Sequence, residues 1–535
     1  MRWPTKFAVC LGIGFVAPGL LMCAQSEKPA ETQATPASRP ASEEEVAQLR
    51  REVADLKAII LRLVPAGSGP TPVQPLLVQA NAGNRSAQPD ESALPTVATA
   101  SDINELQKEV EELQKKTSET PPATAGWNGE HFFLKSSDEN FTLMPIGYLN
   151  AQYNVYKGDG APPDTFVMRR ARFGIQGNYG KQLDYGFVLE SSSALTIRDM
   201  FLDFKPRKYF NIMGGQYRVP FSQEVLTTET NFEFVELSIN SLLYPNASGA
   251  FRTPGVDVHG ELANGRALYW AGVFNGQGLL QSGTTNQPEI IGKVRFYPWK
   301  ESTNSWLKGF SFGGSTEHSR SKGLAGELSF SGLMPDSSYT FFPQFRINGG
   351  IQRYNGFFSW VNGGWGVRGE YTQILEKRIG IGSFVPGGVG FNSLPGVVGK
   401  GTYAMVTYLL TGETEPDNAM PRVRHPVVGP SSPGEPAGGR GWGAWQLKFR
   451  YSWLEGKAPG TTCDATTIPA CPLTPGIVPT FSDHTSQITA GFNWYLNYWV
   501  LAKSDLNIDQ LKNPSVQGIL PQNYFVFSEG LQFRF

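Results

Sequence analysis

Beyond its leader this 535-residue chain has no run of 18 apolar residues, which excludes transmembrane helices but not β-strand spans. Cysteines number four and histidines five. His131, His259, His318, His425 and His484 stand far apart, without the spacing of a metal site. An excess of one charge sign is also missing: 46 Lys and Arg oppose 47 Asp and Glu, a net charge of -1 that implies no nucleic-acid partner. Gly309-Phe310-Ser311-Phe312-Gly313 fits G-x-S-x-G, and Gly364-Trp365-Gly366-Val367-Arg368-Gly369 fits G-x-G-x-x-G. Both lie in alternating, glycine-rich strand sequence with no helix behind them, so neither carries its usual chemistry. No catalytic residue, metal or cofactor is expected, and the chain does not read as an enzyme.

What is abundant is glycine, 60 residues, and aromatic side chains: 34 Phe, 19 Tyr and 12 Trp. In Gly441–Trp453, the residues Trp445, Leu447, Phe449, Tyr451 and Trp453 alternate with Ala444, Gln446, Lys448, Arg450 and Ser452. A strand directs successive side chains to opposite faces, so one face here is apolar and the other polar. Phe525, Phe527, Leu531, Phe533 and the terminal Phe535 repeat the pattern. Apolar faces bounded by aromatic residues point to strands in lipid around a polar lumen. Sixteen candidate strands follow one another from 141 onward, among them 164–179, 195–205, 339–354, 355–373 and 440–457. Short turns such as Gly180-Lys181 alternate with long Pro/Gly loops such as 414–440 and 457–481, which suits short periplasmic turns and long outer loops.

The expected fold is therefore all-β, a transmembrane antiparallel barrel of about 16 strands over 127–535, preceded by a periplasmic coiled-coil segment. Residues 1–24 read as a signal peptide, with Arg2 and Lys6 before an apolar run. Leu20-Leu21-Met22-Cys23 also resembles a lipoprotein box, except for Met22. Residues 25–126 form a disordered linker with two short heptad helices, about 43–64 and 101–117. Val46, Leu49, Val53, Leu56, Ile60 and Leu63 occupy a and d positions whose residue types favour a dimer. Such a stalk suits self-association or contact with peptidoglycan or other envelope material. Cys463 and Cys471 share one loop, and in an oxidising compartment a disulfide is the expected pairing.

Residues 219–252 make a long connection rich in Phe221, Val225, Phe232, Phe234 and Ile239, too apolar for a solvated loop. In a barrel it can fold inward and narrow the lumen. Anion passage needs fixed positive charge in a narrow wet path. The face test places Arg170 and Arg172 in the lumen opposite Val167, Ala171 and Phe173, with Arg169 on the apolar side. Arginine at mid-membrane facing lipid costs roughly 2–4 kcal/mol, so three arginines there are expensive. Lys293 and Arg295 oppose Val294 and Phe296, and Lys448 and Arg450 oppose Leu447 and Phe449. Arg198 falls in register with Met200 and Leu202, on the apolar side. Arg218 and Arg252 flank the inward loop, while Asp199, Asp203, Glu236 and Glu370 offer counter-charges.

Several stretches resemble the phosphate-selective porin O and P family: FVMRRARFGIQGNYG (166–180), RDMFLDFKP (198–206), GGQYRVPFSQEVLTTETNFEFVE (214–236), YLLTGETE (408–415), GAWQLKFRYS (443–452), TAGFNWYLN (489–497) and LQFRF (531–535). The resemblance implies a sixteen-stranded, homotrimeric channel of the bacterial outer membrane, in contact with its lipid. It also implies an inward third outer loop and small anions, phosphate or polyphosphate, as solute. The anion path would be Arg169, Arg170, Arg172, Arg218, Arg252, Lys293, Arg295, Lys448 and Arg450. Leu237 stands where the family often has Arg, and Arg252-Thr253-Pro254-Gly255-Val256 replaces its usual Arg-Asp-Ile-Gly-Val. A general porin of weak selectivity, or a structural tether with a plugged barrel, remains an alternative. An outer-membrane hydrolase is a third, and would need a Ser and a His within hydrogen-bond reach at the rim.

Overall fold

The computed structural model describes residues 107–108, 110–111, 123–128, 131–246, 250–283, 286–321, 328–380, 393–429, 441–459, 481–512 and 522–535. The chain divides into two units, Met1–Val97, which lies outside the described residues, and Ala98–Phe535. The signal peptide, the first heptad helix and the Cys463/Cys471 pair lie outside the described residues. So does most of the second heptad helix, of which residues 107, 108, 110 and 111 are helical and exposed.

Two short strands, β1 (Thr124–Trp127) and β2 (Phe132–Lys135), precede the barrel. The barrel strands run β3 (Phe141–Lys157), β4 (Thr165–Tyr179), β5 (Leu183–Glu190), β6 (Thr196–Arg207), β7 (Phe210–Arg218), β8 (Arg252–Leu262), β9 (Ala267–Phe274) and β10 (Glu289–Phe296). They continue as β11 (Phe310–Ser321), β12 (Gly349–Asn362), β13 (Trp365–Arg378), β14 (Leu394–Leu409), β15 (Ala444–Ala458), β16 (Phe481–Tyr495), β17 (Val500–Lys512) and β18 (Gln522–Arg534). Each pairs antiparallel with the next, and β18 returns to pair with β3 from Phe525↔Lys157 to Arg534↔Tyr148. The result is a closed barrel of 16 strands with no free edge.

Alternation runs inside out relative to a soluble protein. On β15, Leu447, Phe449 and Tyr451 are exposed, while Gln446, Lys448, Arg450 and Ser452 are buried. Leu531 and Phe533 on β18 face outward in the same way. An aromatic belt follows the turn end: Trp306 stacks on Trp360 at 5.3 Å and Trp445 on Trp494 at 5.2 Å, and Trp365 meets Tyr408 at 4.4 Å. Such rings favour the membrane–water interface.

Two sequence expectations need correction. The segment 339–348 is not a strand, and the hairpin expected near 354–355 turns at Gly363-Gly364 instead, with Asn362 opposite Trp365. Gly363 has φ +55°, a conformation that glycine adopts without a Cβ penalty. The alternating aromatics of 339–348 are alternating for another reason: Phe341, Phe342, Phe345 and Ile347 pack inside the barrel against Ile374, Val397 and Leu454. The long connection after β14 also emerges at the short-turn, periplasmic end, not outside as the loop 414–440 was expected to. Its described part turns back inward, with Met420 and Val423 packed on Leu409, Ala444 and Leu501.

Among the described residues three segments thus enter the lumen: 219–246 and 328–348 from the outer end, and 411–429 from the periplasmic end. Wall glycines make room for them. A Cβ on Gly456 would lie 2.7 Å from the Phe342 ring, and one on Gly401 would lie 2.5 Å from Asn240 Oδ1.

Candidate functional site in the lumen

The inward loop after β7 begins with Val219 and Phe221, both fully buried. A single helical turn, Gln223–Leu226, is capped by Ser222, whose Oγ accepts from Val225 N. Tyr217, Val219, Phe221, Val225, Tyr244 and Ile291 form its apolar core. Backbone groups in a barrel lumen still need partners, and the wall supplies them. Glu370 Oε1 accepts from the backbone N of Gln223 (3.1 Å) and of Glu224 (2.6 Å). Lys503 Nζ donates to Phe232 O at 2.5 Å, and Lys448 Nζ to Glu233 O at 2.8 Å. Arg450 donates to Glu236 O (3.1 Å) and Leu237 O (3.3 Å), its guanidinium 4.3 Å from the Phe234 ring centre.

The face test held for Arg170, Arg172, Lys293 and Lys448, all directed to the interior. It failed at two arginines, for one physical reason. Pairing between β3 and β4 steps from Asn150↔Arg170 to Ala151↔Met168, leaving Arg169 unpaired in a β-bulge. Between β5 and β6 it steps from Val188↔Asp199 to Leu189↔Ile197, leaving Arg198 unpaired in another. A bulge inserts one residue and resets the alternation. Phe166 and Met168, not Val167, therefore face outward, and Arg169 turns inward to Glu236 at 2.8 Å. Arg198 turns inward as well, to Glu229 at 3.2 Å.

Those bulges complete an arginine cluster. Arg170 and Arg172 (β4), Arg198 (β6), Arg218 (β7) and Arg252 (β8) all reach the carboxylate of Glu229, on the inward loop. Arg172 also binds Glu190 at 2.6 Å, and Arg252 binds Asp199 through two bonds of 2.7 and 3.1 Å. Guanidinium forks suit this role because they hold oxyanions through paired bonds and stay charged. A cavity of about 540 Å³ adjoins the cluster, lined in part by Tyr148, Arg172, Asp199, Arg218, Glu229 and Arg252.

The remaining basic residues are spread along the wall. Lys293 Nζ donates to Ser222 O and lies 4.9 Å from the Phe357 ring centre. Lys448 is paired with Asp505 at 2.5 Å. Arg295 reaches Asp417 at 2.7 Å, and Arg368 reaches Glu233 and, at 3.4 Å, Glu415. Of the expected counter-charges, Asp199 and Glu236 do face arginines, Asp203 instead meets Lys205 at 3.3 Å, and Glu370 holds the loop backbone. Arg368 and Lys503 were not singled out by sequence, although Glu370 two residues from one and Asp505 two residues from the other mark the same inward face. Glu229, in an irregular loop, carries no periodic signal.

The family model described as phosphate-selective porin O and P matches residues 147–508. No curated protein matches the chain. Among solved structures it is similar to outer-membrane expressed OmpT of Vibrio cholerae, with 12% identity, a TM-score of 0.44, and coverage of 75% of this chain and 100% of that one. OmpF of Salmonella typhi in complex with daunomycin gives 9% identity and a TM-score of 0.45, covering 77% of this chain and 100% of that one. The outer-membrane channel DcaP of Acinetobacter baumannii gives 11% identity and a TM-score of 0.39, covering 75% and 99%.

Proposed function

The chain belongs to the phosphate-selective porin O and P family and forms a channel of the bacterial outer membrane, and on that premise we propose that it is a passive, anion-preferring diffusion channel. The observation that carries this reading is the convergence of Arg170, Arg172, Arg198, Arg218 and Arg252 on Glu229, with Arg172, Arg218 and Arg252 lining one cavity; among the described residues Glu190, Asp199 and Glu229 oppose them. Fixed positive charge between low-dielectric walls concentrates small anions and raises their entry rate. Phosphate and polyphosphate are the solutes the family suggests. The loop 219–252 sets the bore, and its wall anchors hold that bore at a fixed width.

The functional unit is a homotrimer in outer-membrane lipid, with residues 1–24 removed as a signal peptide. The heptad segment and the Cys463/Cys471 pair lie outside the described residues; from the sequence alone we propose that the stalk self-associates in the periplasm or contacts envelope material, and that the two cysteines form a disulfide.

A second reading, a general porin of weak selectivity, is favoured by the neutralisation outside the cluster: Lys448 meets Asp505, Arg295 meets Asp417, and Arg368 meets Glu233. Reversal potential in a planar bilayer under a KCl gradient separates the two. A potential on the chloride side, with inhibition by added phosphate, supports the anion-preferring channel. A potential near zero supports the general porin, and absence of any conductance in the folded protein supports a plugged structural tether.

A further inference from the structure

The arginine cluster is already occupied, by the protein's own side chain. Glu229 is 5% exposed, and its carboxylate lies 2.8 Å from Arg218, 3.2 Å from Arg198, 3.4 Å from Arg170 and 3.6 Å from Arg252, with Arg172 also in contact. The other two carboxylates of the cluster are parts of the wall. Glu190 is fixed on β5 by Ala171 N at 2.8 Å, and Asp199 on β6 by the Arg252 fork. Glu229 differs because a loop delivers it. Its turn, Glu229–Asn231, is pinned at the backbone: Gln532 Nε2 donates to Thr230 O at 2.7 Å, and Tyr148 Oη donates to Glu229 O at 3.4 Å. The turn is therefore held in place by contacts that do not involve the Glu229 carboxylate.

Donors at the cluster outnumber acceptors. A carboxylate presents about four lone-pair sites, whereas each guanidinium brings five N–H groups. Buried Nε atoms of Arg198 and Arg218 have no hydrogen-bond partner in the structure, and neither does Glu229 Oε2, which meets Arg172 as an ion pair. A buried donor without an acceptor is costly, and the adjoining cavity of about 540 Å³, which Arg218 lines and Arg198 does not, gives an oxyanion room to supply one at Arg218. Without Glu229, five arginines against two carboxylates would hold such an anion too firmly to release it. Conduction requires a site weak enough to leave.

We infer that Glu229 is a tethered competitor that sets the selectivity and exchange rate of this site, an inference that rests on the anion-preferring reading above. Its carboxylate holds the place of a small oxyanion, a carboxylate or phosphate, among Arg170, Arg172, Arg198, Arg218 and Arg252. An arriving anion displaces the side chain, and the side chain returns to eject it. A tethered competitor is always at hand, whatever the external concentration, so the site exchanges anions and does not trap them.

The test compares Glu229→Gln with Glu190→Gln in the full-length protein, both verified for heat-modifiable barrel migration on gels. Inhibition of chloride current is titrated with inorganic phosphate and, separately, with acetate. Displacement predicts that E229Q lowers the half-inhibiting concentration at least tenfold and lengthens the blocked dwell, while E190Q shifts it several-fold less. Equal shifts in the two variants would reduce Glu229 to its net charge and overturn the inference, as would no shift in E229Q beside an anion-selective wild type. Should E229Q not assemble, Glu229→Asp retains the charge with a shorter reach, and an intermediate affinity is expected. Wild type lacking anion preference, with block still tightened in E229Q, would remove the proposed function and leave the competitor in place.

Discussion

Asn418, on the segment that enters from the periplasmic end, accepts a hydrogen bond through Oδ1 from the backbone N of Thr228, on the loop that enters from outside. The distance is 3.2 Å, and Asn231 Nδ2 returns a bond of 2.9 Å to Asn418 O. The two inward segments thus hold each other one residue from Glu229. Asn418 has φ +57°, so glycine keeps the backbone and removes the side-chain contacts. Asn418→Gly is expected to raise open-channel noise and conductance with little change in stability, measured by single-channel recording and thermal melting.

Arg450 holds the inward loop. It donates to two loop carbonyls and covers Phe234. Hydrogen bonds to a charged group are worth roughly 1.5–3 kcal/mol each. Arg450→Met should release 233–237, widen the bore and increase protease cleavage within 219–252. Arg450→Lys should do so to a smaller degree.

Acidity enters through two buried loop carboxylates. Burial pushes the Glu224 carboxyl up to about 7, with Arg450 pulling it down and Glu370 raising it further. Burial likewise pushes Glu415 up to about 7, against the downward pull of Arg368. Each value lies above the ordinary 4.5. The docked loops therefore hold extra protons, and the stabilisation is complete below about 4.5 and lost as pH rises through 7. Over the same range two negative charges appear in the lumen. Anion preference should fall between pH 6 and pH 8, read as reversal potential, and the E224Q/E415Q double variant should abolish that fall.

Deleting a residue from a strand normally sends every following side chain to the wrong face. Arg169 is unpaired in its bulge, so its deletion should restore regular alternation. The ΔArg169 barrel is expected to assemble with reduced anion preference. Deleting Phe173, which is paired opposite Gly147 and Leu189, should prevent assembly. Heat-modifiable migration distinguishes the two.

Alternation made the barrel legible because lipid outside and water inside impose opposite demands on successive residues, as along Gln446–Ser452. It misled wherever the interior was not wet. Phe341, Phe342 and Phe345 are apolar and inward, so 339–348 imitated a lipid-facing strand and displaced the next turn from Gly363. The cluster was half legible: Arg170 and Arg172 follow the pleat, whereas Arg169 and Arg198 depend on pairing with neighbouring strands, which one strand's sequence does not contain. Glu229 was invisible for a further reason. Its partners come from strands β4, β6, β7 and β8, brought together only by closure of the wall and inward folding of the loop.

The bulges also alter how this barrel and its relatives are to be compared. A charge gained by substitution leaves chain length unchanged and replaces a residue that did something else. A charge carried in a bulge, as at Arg169 or Arg198, sits on an extra residue, and its neighbours keep their faces and partners. Aligned with a barrel that lacks these bulges, the chain would therefore show a gap inside a strand where a substitution would ordinarily be sought.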